Sequence, residues 1–384
     1  MDFRKTDEQE LLLESLDEFF QSAEFGESYI QECEKKQVPV IEFRKAMIDA
    51  GFGLLGIPEE YGGTEVDTQT MIMVCEKIGS YGYPPGLGAI LQVDDILAFG
   101  NEEQKATVME ELQEGKGMGF CLGITEPQAG SDNSQLATSY IRKNGKVYIN
   151  GHKTMITDAD RIKNMLCLAR NPEATDPRQA ISMWMVPMDA PGIKIEKFEK
   201  VGNKLRSMCD VYLNNVEVEE KDLVGVEGNG FVQLMQNFEV ERLVLAAESL
   251  GYAVCAYNDA VKYATQRVQF GQAIGQFQLI QEMIVNMHTK IENMRNLLYK
   301  CAWEKDHDIN INASAAVAKL YCAQAAFEVC DDAMQIFGGY GYASDNRVSR
   351  LWRDARLNRI GGGTDQIMIR VASKAILKEF AKKR

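Results

Sequence analysis

Residues 139–149 read Ser139-Tyr140-Ile141-Arg142-Lys143-Asn144-Gly145-Lys146-Val147-Tyr148-Ile149, with Asn-Gly between two runs in which apolar and polar residues alternate. Asn-Gly suits the tight turn that joins two antiparallel strands, because both of its residues tolerate a positive φ. The stretch therefore predicts a β-hairpin. Alternating runs at 181–186 and 211–218 predict further strands, so we expect a β-domain between about residues 118 and 225.

The segments on either side of this β-domain have helical patterns. Near the start, Thr6 and Gln9 have the spacing of a capping box, and apolar residues follow at helical intervals. Beyond Gly230 the helical periodicity returns and continues to Arg384. Because helices and strands are segregated rather than alternating, we expect an α+β fold that is mainly α. The predicted domains are a helical one over 1–118, a β-domain over 119–228 and a second helical one over 229–384.

Composition and charge exclude several classes of function. The 384 residues carry a net charge of −14, which argues against nucleic acid as a partner, since phosphate backbones require clustered Lys and Arg. No apolar run approaches the ~20 residues that a membrane helix needs, and the first residues lack the apolar core of a signal peptide. We therefore expect a cytoplasmic protein that binds neither nucleic acid nor a membrane.

Cysteine and histidine usage indicates reduced thiols and no metal centre. The nine cysteines are an odd number and form no Cys-x-x-Cys pair, which is typical of buried thiols in a reducing compartment. The three histidines, His152, His288 and His307, have no metal-ligand spacing. We predict no metal site.

Two loops in the β-domain could approach a flat ligand. Residues 122–132 are rich in small and hydroxyl residues, and Thr157 adds a hydroxyl at the end of a predicted strand. Small residues allow a backbone to come close to a ligand, and hydroxyl groups can hydrogen-bond to it. Taken alone, such a loop is more often a plain connection between strands.

Two breaks between the C-terminal helices can also be interpreted either as ligand-binding segments or as plain structural connections. Arg267 precedes a break with paired glycines at 271 and 275, where its guanidinium could hold a phosphate or pair with a surface acid. The run 335–341 ends a helix in a glycine turn, which by itself indicates only a helix cap. No Gly-x-Gly-x-x-Gly follows a strand, so a nicotinamide dinucleotide fold is not supported.

Glu241 and Arg242 lie side by side where an apolar helical run, Phe238–Ala247, begins. A glutamate at a helix start is ordinarily explained by its attraction to the helix dipole. The alternative is that Glu241 is a base for a carbon held against the loop Gly361-Gly362-Gly363-Thr364-Asp365, which has almost no side chains to fill the space.

These motifs, in this order, resemble the acyl-CoA dehydrogenase family. The matching pieces are Ile-Thr-Glu-Pro-x-Ala-Gly-Ser-Asp at 124–132, Ile-Thr at 156–157, Glu-Gly-Asn-Gly-Phe at 227–231, Glu-Arg at 241–242, Arg-x-x-Phe-Gly at 267–271, Gly-Gly-x-Gly at 338–341, Trp-Arg-Asp-Ala-Arg at 352–356 and Gly-Gly-Thr at 362–364. The resemblance implies an N-terminal helical domain, a middle β-barrel-like domain and a C-terminal four-helix bundle. It also implies non-covalent FAD and a homotetramer built as a dimer of dimers.

The same resemblance implies roles for individual residues. The flavin would be held by Leu122, Ile124, Thr125, Ser131, Met155, Ile156 and Thr157. The adenosine pyrophosphate of a flavin bound mainly by the neighbouring subunit would be gripped by Arg267, Phe270, Gln278, Gln335, Gly338 and Gly339, with Thr364 and Gln366 completing that site. The CoA thioester would be contacted by Ser131, Glu239, Arg242, Gly362 and Gly363.

Two positions depart from the common pattern of the family. Met155 replaces the usual Trp before Ile-Thr, which removes an indole from the flavin and is expected to alter its redox tuning. Gly362 stands where the catalytic glutamate usually precedes Gly-Thr. In the isovaleryl-CoA dehydrogenase branch the base instead lies directly before the helix Arg, which is the place of Glu241 here. The resemblance therefore implies Glu241 as the catalytic base.

Within the family the chain looks most like the crotonobetainyl-CoA reductases of carnitine metabolism, on the pieces 7–11, 266–271 and 277–282. This implies interconversion of an acyl-CoA and its 2,3-enoyl-CoA, with reduction as the preferred direction and an electron-transferring flavoprotein as the electron donor. Asp94 or Asp95 could face a trimethylammonium group, although a solvated helix face is the simpler interpretation. The alternatives are oxidation of a branched or aromatic short-chain acyl-CoA, and a non-catalytic flavoprotein subunit or scaffold.

Overall fold

The computed structural model describes residues 4–22, 24–84, 93–115, 118–176 and 179–382. Its N-terminal part consists of the helices α1 (Asp7–Ser22), α2 (Glu27–Lys36), α3 (Ile41–Asp49), α4 (Thr68–Ser80), α5 (Val93–Phe99) and α6 (Glu102–Gln113). The predicted capping box of α1 is present, since Thr6 N donates to Gln9 Oε1 at 3.0 Å and Gln9 N donates to Thr6 Oγ1 at 3.2 Å. Helix α2 was not predicted, because its sequence is mostly polar.

The middle part is a β-domain. Its strands are β1 (Cys121–Gly123), β2 (Ser139–Lys143), β3 (Lys146–Thr157), β4 (Asn164–Arg170), β5 (Ile181–Pro187), β6 (Ile193–Lys197), β7 (Met208–Val218) and β8 (Leu223–Val224). They form one eight-stranded sheet in the order β6-β7-β3-β2-β4-β5-β8, with β1 paired in parallel to β4. The predicted hairpin is confirmed: β2 and β3 are antiparallel, and Asn144 and Gly145 at their turn have φ of 54° and 74°.

The C-terminal part returns to helices. They are α7 (Gly230–Gln266), α8 (Gln278–Asp306), α9 (Asn312–Phe337), α10 (Arg347–Leu357) and α11 (Asp365–Lys382), and the short strands β9 (Val268–Gln269) and β10 (Gln272–Ala273) form a hairpin after α7. Many of the residues buried between α7 and α9 are alanines, which let the two helices pack closely. Helix α4 also approaches α7 closely, because a Cβ on Gly79 would lie 2.7 Å from the Cα of Gly251.

The predicted order of a helical, a β and a second helical domain is confirmed, and so is the burial of all nine free thiols. The placement of Glu241 at a helix start is wrong. Helix α7 begins at Gly230, so Glu241 lies about three turns inside it, beyond the reach of the N-terminal dipole. The solvated-face interpretation also fails for Asp95, which is only 5% exposed.

The described ranges contain neither a membrane-spanning helix nor a cluster of metal ligands. Across these residues no helix combines the length and apolar character needed to cross a membrane. Within the same ranges, His, Cys, Asp and Glu side chains nowhere form a group of three that could hold a metal ion.

Candidate active site

The glycine loop that precedes α11 lies against the middle of α7. Gly362 has a φ of +60°, and a Cβ built on it would lie 3.7 Å from Oε1 of Glu241. The two segments that the sequence singled out, more than a hundred residues apart, are therefore in contact. Glu241 is partly buried and is the carboxylate nearest to that Cβ position among the described residues.

Leu245, one turn after Glu241 on α7, fills the space beside Gly362. Its Cδ1 lies 2.3 Å from the Cβ position of residue 362, closer than real Cβ atoms approach other atoms. A side chain at 362 would therefore have to displace Leu245. The packing at this point is consistent with a carboxylate that comes from α7 and not from the loop.

The surroundings of Glu241 suit a group that exchanges protons near neutral pH. Burial raises its pKa to about 7, against the opposing positive charges of Arg242 and Lys319. A general base works best when its pKa lies close to the operating pH. Both protonation states of Glu241 are then populated around pH 7.

Arg242 and Glu239 flank Glu241 but differ in their contacts. Arg242 is 8% exposed, and its Nε is buried without a hydrogen-bond partner among the described residues. Burial lowers its pKa, while Glu239 and Glu241 act against that shift. Glu239 already accepts a hydrogen bond from Asn312 Nδ2 at 2.9 Å. Arg242 thus has a donor left for a ligand, whereas one carboxylate oxygen of Glu239 is engaged by the protein.

Lys319 of α9 is a member of this site that the sequence interpretation missed. It is fully buried, and its Nζ donates a hydrogen bond of 2.5 Å to the carbonyl oxygen of Gly363. Burial lowers its pKa to about 8, Asp365 and Glu241 oppose that shift, and Arg242 adds to it. The signal in the sequence was a single charged residue in the apolar run from Asn312 to Phe327.

The loop after β1 is tied to β3 by a buried ion pair, which also escaped prediction. Lys153 donates to Glu126 Oε1 at 2.8 Å and to the carbonyl of Ile124 at 3.2 Å, and both charged side chains are almost fully buried. Glu126 also accepts hydrogen bonds from the N–H groups of Ala137 and Thr138. Burial alone would raise the pKa of Glu126, but Lys153 and these donors lower it.

This tether brings most of the predicted flavin residues of the β-domain together. Thr154 N donates to Thr125 O at 2.9 Å, so the loop after β1 runs beside Met155, Ile156 and Thr157. Met155 lies in a β-bulge with a φ of 59° and is 54% exposed. The side chain of Ile156 is buried in the β-domain core, so only its backbone can face a ligand.

The remaining members of the predicted flavin loop are placed differently. Leu122 lies within β1 and pairs with Leu166, and Ile124 is buried. Ser131 is exposed, and a Cβ on the neighbouring Gly130 would meet nothing within 4 Å. The loop therefore leaves open space at its far end.

A groove, separate from the Glu241 site, lies at the C-terminal end of α7. It encloses about 620 Å³ and is lined by Tyr263, Arg267, Gln269, Phe270, Ile274, Phe277, Ile280, Ile336, Phe337, Gly338, Gly339 and Tyr340. Phe270 is 95% exposed, and Gly338 and Gly339 face open space. The predicted residues Gln278 and Gln335 are exposed but do not line this groove.

The start of α11 lies at the Glu241 site and is separate from that groove. Thr364 caps α11, its Oγ1 accepting from Ile367 N at 3.3 Å, and Gln366 is exposed in the first turn. The structure of the single chain therefore does not bring Thr364 and Gln366 to Arg267 and Phe270.

The two places differ in what they offer a ligand. Near Glu241, Arg242 has a buried Nε without a hydrogen-bond partner among the described residues, while Leu245 and Met368 pack against Gly362 and Gly363. At the far groove, aromatic side chains, an arginine and bare glycines suit an adenosine with its phosphates.

Comparison with known proteins gives a consistent identity. Family models match the N-terminal domain of acyl-CoA dehydrogenase over residues 6–116, the middle domain over 121–216 and the C-terminal domain over 228–377. Among curated proteins, "Probable acyl-CoA dehydrogenase YdiO" of Escherichia coli strain K12 is 48% identical over 384 residues, which is all of both chains.

Solved structures agree with this over nearly the whole chain. Butyryl-CoA dehydrogenase from Megasphaera elsdenii matches with a TM-score of 0.89 at 30% identity, covering 98% of this chain and 100% of that one. A chain from work on the electron transferring flavoprotein of Acidaminococcus fermentans matches with a TM-score of 0.90 at 33% identity, with the same coverage. The chain belongs to the acyl-CoA dehydrogenase family and is an FAD-dependent oxidoreductase that acts on acyl-CoA.

Proposed function

We propose that Glu241 exchanges the α-proton in the interconversion of an acyl-CoA and its 2,3-enoyl-CoA, and that the chain is an enoyl-CoA reductase of the crotonobetainyl-CoA type. The observation that carries the proposal is the contact of Glu241 Oε1 with the Cβ position of Gly362 at 3.7 Å. Position 362 corresponds to the place where most members of the family carry the catalytic base.

The chemistry requires two kinds of group from the protein. The α-proton of a thioester becomes removable only when the negative charge that develops on the carbonyl oxygen is stabilised by hydrogen-bond donors. Replacing glutamate by glycine at 362 deletes the usual base but keeps the backbone N–H as such a donor. Glu241 takes the α-proton, or returns it in the reductive direction, and FAD when bound supplies hydride transfer at the β-carbon.

The cofactor is proposed to lie between two subunits. Leu122, Ile124, Thr125, Ser131 and residues 155–157 would hold the flavin end beside Glu241. Arg267, Phe270, Gln278, Gln335, Gly338 and Gly339 of a neighbouring copy would hold the adenosine end, together with Thr364 and Gln366. Phe270 has an edge-to-face contact with Phe277 but is 95% exposed, and this exposure of an aromatic ring supports a partner at this place. We propose a homotetramer on this basis.

The substrate and direction rest on the sequence pieces shared with the crotonobetainyl-CoA reductases. On helix α5, Asp95 is buried and Asp94 is partly buried. Burial raises the pKa of Asp94, and the positive charge of Lys305 opposes that shift. Two acids on one short helix suit an acyl group that carries a cation. We propose reduction in the cytoplasm, with electrons from an electron-transferring flavoprotein.

The decisive experiment compares Glu241→Gln with Glu248→Gln. Glu248 lies two turns further along α7, and burial also raises its pKa to about 7, but its partner is Asn358 and not the glycine loop. Bleaching of the oxidised flavin is followed anaerobically after addition of saturated betainyl, branched and aryl-substituted CoA esters, and reoxidation of the chemically reduced flavin is followed after addition of the matching 2,3-enoyl esters. We expect Glu241→Gln to lose a factor of about 10³ or more with FAD still bound, and Glu248→Gln to remain active.

The outcomes separate the candidate functions. Equal rates in Glu241→Gln and wild type would remove Glu241 as the base. Faster turnover of saturated branched or aromatic esters than of betainyl esters would favour the oxidative alternative. Absence of bleaching in wild type across the whole panel would favour a non-catalytic flavoprotein subunit.

A further inference from the structure

Lys319 is a buried cation at the joint between α9 and the glycine loop. Its side chain is fully inaccessible, and the hydrogen bond of 2.5 Å from its Nζ ends on the carbonyl of Gly363, next to Gly362. Burying a lysine is unfavourable unless the surroundings compensate for its charge. A residue at this position therefore needs an explanation beyond the packing of an alanine-rich helix.

The loop that Lys319 contacts has little else to hold it. Gly362 and Gly363 have φ of +60° and +101°, and neither has a side chain that could anchor it. The neighbouring N–H of Asp365 donates to Arg359 O at 3.2 Å, and Met368 N donates to Thr364 O at 2.9 Å. Among the residues that the structure describes, Lys319 is the one side chain from another element that hydrogen-bonds to the segment Gly362-Gly363.

Charged groups from two other helices lie around Lys319. Helix α7 contributes Glu241 and Arg242, and α11 contributes Asp365. Asp365 is shared, because it also pairs with Arg359 at 2.8 Å and accepts from Gln324 Nε2 at 3.0 Å. Lys319 therefore has two carboxylates nearby. One is Glu241, and the other is Asp365, whose Oδ2 is engaged by Arg359 and Gln324 while its buried Oδ1 has no hydrogen-bond partner among the described residues.

We propose that Lys319 is a positioning residue for the reaction: it fixes the backbone of Gly362 and Gly363 through the Gly363 carbonyl and keeps a positive charge beside the carboxylate of Glu241. The inference rests on the proposed role of Glu241 as the base. Through its hydrogen bond, Lys319 places the backbone N–H of residue 362 where that N–H can donate to the thioester carbonyl oxygen. Through its positive charge, Lys319 favours the ionised form of Glu241, because an opposite charge nearby lowers the pKa of a carboxyl group.

Three substitutions separate the two parts. Lys319→Gln keeps a donor for Gly363 O but removes the charge, Lys319→Arg keeps both, and Lys319→Met removes both. The control is Lys290→Gln, a lysine of the same bundle that pairs with Glu328 at 3.0 Å and not with the glycine loop. The measurements are FAD content, kcat and KM, and the pH dependence of flavin bleaching by a saturated acyl-CoA.

The expected results follow from the sign of the charge effect. Without the Lys319 cation the pKa of Glu241 rises, so the acid limb of the rate profile in Lys319→Gln moves up by about one pH unit. Lys319→Arg and Lys290→Gln keep the wild-type limb. Lys319→Met shows the same movement, and its kcat falls by about 10²-fold at every pH because the thioester donor is misplaced.

Other outcomes overturn the proposal. A wild-type acid limb in Lys319→Gln, or an equal movement in Lys319→Arg, would show that charge is not involved. Loss of FAD or of folding in Lys319→Gln with recovery in Lys319→Arg would assign the lysine to holding the fold alone. If Glu241→Gln is fully active, the proposed base fails as well. If it is inactive while Lys319→Gln is unchanged, only the role of Lys319 fails.

Discussion

Leu245 and Gly362 show how a single position can move a functional group between two elements. With glycine at 362, the Leu245 side chain packs into the space that a Cβ would need, at 2.3 Å from its ideal position. The backbone there also has a φ of +60°, which costs a residue with a side chain additional strain. The loop is therefore adapted to the absence of a side chain.

Gly362→Ala tests this packing. We expect a loss of about 2 kcal/mol or more in unfolding free energy, from the positive φ and from the overlap with Leu245. The control is Gly361→Ala, whose Cβ would meet only Leu357 O at 3.8 Å, and which should change stability by less than about 0.5 kcal/mol. Urea unfolding of the FAD-bound protein measures both.

A double substitution shows whether Leu245 is the cause. In Gly362→Ala with Leu245→Ala the overlap is relieved, so the combined loss should be smaller than the sum of the two single losses. Additive losses would contradict the packing argument and leave the backbone conformation as the whole effect.

Of Glu241 and Lys319, the sequence indicated only Glu241 as a functional group, and it did so through the resemblance to the family. Glu241 was found because a motif placed it next to Arg242 and a second motif lacked its usual glutamate at Gly362. Lys319 belongs to no such motif. Its proposed role depends on a hydrogen bond to Gly363, 44 residues away along the chain. A contact between residues so far apart cannot be read from the sequence around either of them.

Among the elements, the strand β3 and the loop after β1 act as one unit. The pair between Lys153 and Glu126 ties them together in the interior, and the next residues of β3 form the bulge at Met155. Removing one partner of a buried pair leaves the other as an uncompensated buried charge. The position of the loop relative to residues 155–157 should therefore depend on this pair.

Lys153→Met should destabilise the protein by about 3–5 kcal/mol and weaken the retention of FAD. The matched control is Lys146→Met on the same strand, which breaks an ion pair to Glu217 whose two side chains are 54% and 46% exposed. An exposed pair of this kind contributes about 0–1 kcal/mol, so the control should keep its stability and its FAD. Thermal unfolding and the visible flavin spectrum follow both variants, and equal effects of the two would contradict the tether.

At this scale the hairpin at Asn144-Gly145 could be predicted, because a two-residue turn with two positive φ values is encoded locally. The return of helical structure beyond Gly230 could be predicted as well, but not the position of Glu241 within the helix. The first three turns of α7 contain Gln, Asn and Glu among the apolar residues, and their helical state depends on packing against other parts of the chain. The apolar run that begins at Phe238 therefore continues a helix and does not start one, and the interpretation of Glu241 as a helix-start residue failed for this reason.

In the whole molecule, the Glu241 site and the groove at Arg267 lie at different places on one long helix. About 38 Å of α7 separates Glu241 from the end of the helix at Gln266, at 1.5 Å per residue. Phe270, beyond that end, lines the groove and is 95% exposed. A cofactor that contacts both places is best explained by two copies of the chain, each giving one part.

Mixed oligomers test this arrangement. One chain carries Glu241→Gln, and the other carries Arg267→Ala with Phe270→Ala; each alone should be inactive, the first without its base and the second without its FAD. In a two-fold symmetric pair of unlike chains, one of the two sites combines an intact Glu241 with the intact groove of the partner.

Co-expression in equal amounts should therefore restore about a quarter of wild-type activity, since half of the random pairs are mixed and half of their sites are complete. Mixing the two variants after purification, under conditions that prevent subunit exchange, serves as the control and should restore nothing. If co-expression gives only the sum of the two inactive variants, while purification by two different tags shows that mixed oligomers form, both parts of each site come from the same chain.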